Sequence, residues 1–62
     1  MRNCEYRRIV NAECQAAGMP PDLIRQWVAI LWPRLSKARY TEQEAIVAVR
    51  TMLAGQSPGK GE

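Results

Sequence analysis

Residues 27–40 read WVAILWPRLSKARY, and the course of the chain through them decides the fold. Two tryptophans stand beside Val28, Ile30, Leu31 and Leu35, Pro33 follows Trp32 directly, and Arg34, Lys37 and Arg39 come after it. Wound as a helix, this stretch and the residues before it put Leu23, Ile24, Trp27, Val28, Leu31 and Leu35 on one wide face. Asp22, Arg25, Gln26, Ala29 and Pro33 then form a narrow stripe opposite. Ile30 and Trp32 fall on the two flanks, so the helix is apolar around most of its girth, as a central element is. Pro33 works against continuation. It offers no N–H to the Ala29 carbonyl and crowds that carbonyl with its ring, at a cost of about 3 kcal/mol in an unbent helix, and it biases Trp32 away from helical angles. A stop at Leu31 or Trp32, or a kink carried on to about Ser36, are the two outcomes. The expectation adopted is a stop or a short irregular turn, with the helix spanning about 21–32.

Upstream, Pro20 and Pro21 suit the start of that helix, where a missing N–H costs nothing, and Asp22 complements the dipole of its first turn. Before them, Asn3 is a capping residue, Glu5 an anion in the first turn and Gly18 a left-handed stop, which predicts a helix over about 4–17. Tyr6, Ile9, Val10, Cys14 and Ala17 make its apolar stripe. With Gly18 just past the end, Met19 can close back on Cys14 in a Schellman stop. Downstream, Thr41 and Glu44 have capping-box spacing, and Ala45, Ile46, Val49, Met52 and Leu53 continue with helical periodicity, predicting a helix over about 42–54. The final GQSPGKGE has nothing to bury. The expected organisation is an all-α, three-helix domain over 1–54 with a disordered, flexible C-terminal tail over 55–62.

A chain of 62 residues buries little core, and domains this small gain their last increment of stability from disulfides, metals, regular helix packing or a second subunit. Cys4 and Cys14, on one helix, lie about 15 Å apart along its axis, too far for a disulfide. With no histidine, the usual structural zinc sets cannot be assembled. Helix packing or self-association remains. The amino terminus has no apolar run after its cations, and the longest uncharged apolar run is Trp27–Trp32, so neither a secretory signal nor a membrane span is expected. A cytoplasmic protein with reduced thiols follows. Seven arginines against two lysines, with abundant alanine, point to a GC-rich bacterial genome or a mobile element within one.

Catalysis is poorly provided for. The carboxylates fall at helix starts or on an outer face, where capping and solubility explain them, and the glycines mark stops or tail, leaving no phosphate loop. Neither thiol has an evident base. No enzyme activity, metal or cofactor is expected, and binding a macromolecule is. The preferred partner is a protein or a second copy of this chain. Ile30, Trp32 and Val47 exceed what a core of this size can hold, and Trp32, Arg34, Arg39 and Tyr40 cluster along the connection between the second and third helices. Trp27 and Leu31 are spine on this reading, and Trp32 onward is surface. The competing arrangement folds Trp32 back over the core and uses Tyr40 to staple the third helix.

The alternative partner is nucleic acid. The run from Cys14 through Gly18, Met19 and Ile24 to Trp27 has the spacing by which two helices of a helix-turn-helix pack. Arg25 and Gln26 would then read base edges, with Arg7, Arg8, Arg34, Lys37 and Arg39 on phosphates. Between Leu23 and Thr41 there are four cations and no acid, within a net charge of +3. Asp22 at the start of the would-be recognition helix, and the narrowness of its polar stripe, count against that alternative.

Overall fold

Gly18 adopts φ +82°, and around it the first helix ends as its sequence demands. The Gly18 N–H donates to the Gln15 carbonyl at 3.0 Å and the Met19 N–H to that of Cys14 at 3.2 Å, the two bonds of a Schellman stop. A computed structural model describes residues 2–55 of the chain. It contains α1 (Asn3–Ala16), α2 (Pro21–Ala38) and α3 (Glu42–Gly55), with no strand among the described residues. Gly55, expected to begin the tail, is instead the last residue of α3, and the rest of the expected tail, residues 56–62, lies outside the described residues.

The helix starts follow local chemistry. α1 is preceded by Arg2 rather than capped by Asn3, and Glu5 Oε1 accepts the Arg2 backbone N–H at 3.0 Å. Asn3 serves elsewhere: its Oδ1 accepts from Ser36 Oγ at 2.8 Å, tying the start of α1 to the last turns of α2. α2 opens on Pro21 with Asp22 in its first turn. α3 opens on the reciprocal box, the Thr41 N–H donating to Glu44 Oε1 at 3.0 Å and the Glu44 N–H to Thr41 Oγ1 at 3.2 Å.

At Pro33 the expected stop does not occur. α2 runs on to Ala38 and ends with Arg39 in the left-handed region, φ 56°. The Arg39 N–H reaches the Ser36 carbonyl at 3.0 Å and the Tyr40 N–H that of Leu35 at 3.3 Å, a second Schellman stop with arginine where glycine is usual. Burial explains why the helix survives its proline. Leu35 is 1% exposed, and sequestering such a side chain is worth about 1.5–3 kcal/mol. The Ser36 bond to Asn3 and the closing turn at Arg39 add to that, and Pro33 itself faces solvent.

Tyr6, Val10 and Cys14 from α1, Ile24, Trp27, Leu31 and Leu35 from α2, and Ala45 and Val49 from α3 form the core. The Tyr6 hydroxyl donates to the Tyr40 carbonyl at 2.6 Å, so the largest core side chain of α1 also anchors the connection into α3. The helix shared by the other two is α1, which packs against both, and not α2 as its girth suggests. Small side chains at Ala45, Ala48 and Val49 let α3 come close to α1. α2 meets the core through Ile24, Trp27, Leu31 and Leu35. Outside the core, Arg50 on α3 reaches Glu13 on α1, with Nε donating to Oε1 at 2.8 Å.

Candidate functional site

Two rows of side chains four residues apart define a grooved surface on one side of α1 and α2. On α1 the row is Arg7, Asn11 and Gln15, and on α2 it is Ile24, Val28 and Trp32. Helical geometry makes each row a ridge along its own helix. Between them lies an open groove of ≈ 640 Å³, floored at the turn by Met19 and Pro21 and edged by Arg25 and Ala29. Every lining residue comes from α1, α2 or the turn between them. Ile24 is buried, while Met19, Val28 and Trp32 pack against the core on one side and meet solvent on the other.

Trp32 is the focus of this groove. The Arg7 guanidinium carbon lies 4.7 Å from the centroid of its ring, a cation–π contact worth about 0.5–1 kcal/mol where solvent reaches it. Trp32 is therefore both things the sequence suggested: it folds over the core and it keeps an outer edge. Arg25 Nη2 approaches Asp22 Oδ1 at 3.4 Å, and because both groups are largely exposed the pair constrains Arg25 little.

The other residues expected to bind protein are dispersed. Ile30, 38% exposed, occupies the flank of α2 away from Trp32, and Arg34 and Lys37 are exposed further along the same helix. Val47, 61% exposed, is on the outer side of α3 beside Tyr40, Gln43, Glu44 and Ala48. Arg8, Arg39 and Tyr40 line a separate cleft of ≈ 400 Å³ where the beginnings of α1 and α3 meet. Glu5 and Glu42 share its wall, so its charges balance. The structure thus gathers Trp32 with Arg7 and Arg25, and not with Ile30, Arg34, Arg39, Tyr40 or Val47. Of the cations and amide assigned to nucleic acid, Arg7 and Arg25 line the groove, Gln26 borders a shallow patch with Asp22, Arg25 and Ala29, and Arg8, Arg34, Lys37 and Arg39 lie elsewhere.

The sequence puts Asn11, Gln15 and Ala29 on outward faces but does not join them with Met19 and Val28 into one surface. The four-residue recurrence of Arg7, Asn11 and Gln15 opposite that of Ile24, Val28 and Trp32 was the available signal. It becomes meaningful only once the Gly18 turn folds α2 back alongside α1.

Among the described residues no group of three or more histidine, cysteine or acidic side chains could hold a metal ion, and no helix is long and apolar enough to cross a membrane. Cys4 is exposed and Cys14 buried. Burial, reinforced by the charge of neighbouring Glu13, pushes the Cys14 thiol above its ordinary pKa, the opposite of what an attacking thiolate needs. Hydrogen bonding and charge from Glu13 raise that of Arg50. No family model matches the chain, and no curated protein or solved structure matches it either.

Proposed function

We propose that this chain is a small non-enzymatic regulatory or inhibitory protein that binds a protein partner through the groove between α1 and α2, with Trp32 as its anchor. The observation that carries this reading is the placement of Trp32: half-buried, held against the core, roofed by Arg7 and open along a groove that α3 does not line. Tryptophan and arginine together on a concave, partly apolar surface are the residues that dominate interface energetics. A side chain already held by packing and by a cation also loses little conformational freedom on association.

A nucleic-acid role draws less support from the same geometry. Its cations point to several sides of the molecule, Asp22 stands beside the supposed reader Arg25, and the groove is floored by apolar side chains.

Trp32→Ala is expected to weaken association with a partner by about 2 kcal/mol or more, with the helical circular-dichroism spectrum retained. Val47→Ala, on the outer side of α3, is expected to leave association unchanged. Calorimetric titration of a partner captured by the wild-type chain provides the comparison. A partner that ignores Trp32→Ala and is lost with Val47→Ala would place the binding face on α3.

A further inference from the structure

The charge of the groove indicates what occupies it. Among the described residues its only charged lining side chains are Arg7 and Arg25, its other polar ones are the amides Asn11 and Gln15, and the nearest carboxylate, Asp22, sits outside the lining in a loose, exposed 3.4 Å pair with Arg25 that an incoming carboxylate can displace. Its shape adds a second constraint. Two facing ridges built from four-residue steps leave between them the kind of channel into which a third helix packs a ridge of its own. From Ile24 to Trp32 the α2 ridge runs about 12 Å, a little over two turns of helix.

We propose that the occupant is an acidic amphipathic helix of a partner protein. Its apolar stripe lies on Met19, Val28 and Trp32, and its carboxylates face Arg7 and Arg25. This rests on the α1–α2 groove being the binding face. A second copy of this chain fits less well: α3 carries Glu42 and Glu44 only in its first turn, Glu44 is engaged with Thr41, and Val47 stands alone behind them.

The test uses the full chain and a designed peptide helix about three turns long, with leucines on one stripe and glutamates flanking it. A counterpart has lysine in place of every glutamate. Binding is followed by titration calorimetry and by the indole N–H signals of Trp27 and Trp32 in NMR spectra. The acidic peptide is expected to shift the Trp32 signal, and the lysine peptide to leave it unmoved. Arg7→Glu and Arg25→Glu, both at exposed positions, are each expected to weaken the acidic peptide about tenfold or more. The double reversal should accept the lysine peptide instead.

Equal binding of the two peptides would overturn the charge argument, and so would an oligonucleotide that shifts Trp32 in preference to the acidic peptide. Shifts confined to α3, or self-association displacing both peptides, would overturn the groove as well. Failure of the acidic peptide to bind, alongside a protein partner that Trp32→Ala releases, would overturn the acidic helix while leaving the groove as binding face.

Discussion

Arg39 holds a backbone conformation that side chains with a Cβ resist, at φ 56°. Its position closes α2, and the left-handed turn there lets the Tyr40 N–H reach Leu35. Arg39→Gly relieves that strain and is expected to stabilise the fold by about 0.5–1 kcal/mol, less than the full left-handed penalty because glycine also gains freedom in the unfolded chain. An upward shift of the urea midpoint with unchanged slope is the signature. Cys14 carries a second consequence at this scale. Its thiol is raised by burial and by Glu13, so the folded chain holds the proton more tightly than the unfolded one. The resulting stabilisation is complete below the unfolded thiol's pKa of about 8.5 and is lost as pH rises through the folded value. In parallel denaturation series from neutral to alkaline pH, wild type should lose stability relative to Cys14→Ala. A constant difference between them would show that Cys14 ionises alike in both states.

At the scale of the element, α2 is the informative helix. Its continuation past Pro33 sacrifices one backbone hydrogen bond to Ala29, and in return Leu35 enters the core and Ser36 reaches Asn3. Pro33 is exposed and only tolerated, so Pro33→Ala is expected to stabilise the protein by about 1–2 kcal/mol, the restored helical geometry outweighing the added freedom of the unfolded chain. A lower melting temperature in that variant would mean that the proline shapes α2 in a way the core depends on. α1 and α3 pose no such conflict: the Gly18 stop and the Thr41–Glu44 box appear where their residues stand in the sequence. The stop at Arg39 was hidden because arginine is not a residue that advertises a left-handed turn.

For the molecule as a whole, three short helices share one small core, and no described buried side-chain polar atom lacks a hydrogen-bond partner. Leu31 is fully buried at its centre. Leu31→Ala is expected to cost about 2–5 kcal/mol, comparable with the roughly 3–5 kcal/mol a single core of this size supplies. The variant should therefore lose its cooperative thermal transition. A sharp transition retained within a few degrees of wild type would show that other contacts hold the helices together.

Sequence alone determined what is local: three helices, the starts of α2 and α3, the Gly18 stop, and the buried positions Tyr6, Val10, Cys14, Ile24, Trp27 and Leu31. These follow from caps and from a 3.6-residue period, each confined to a few neighbouring residues. The tertiary structure decided the passage through Pro33, the shared position of α1, and the company Trp32 keeps. Each depends on free energy gained between residues distant in sequence: Leu35 in the core, Ser36 on Asn3, small α3 side chains against α1, and Arg7 over Trp32. For that reason Trp32 was legible as a side chain in excess of a small core, whereas the arginine on its ring and the ridge facing it emerged only when the turn at Gly18 laid two helices side by side.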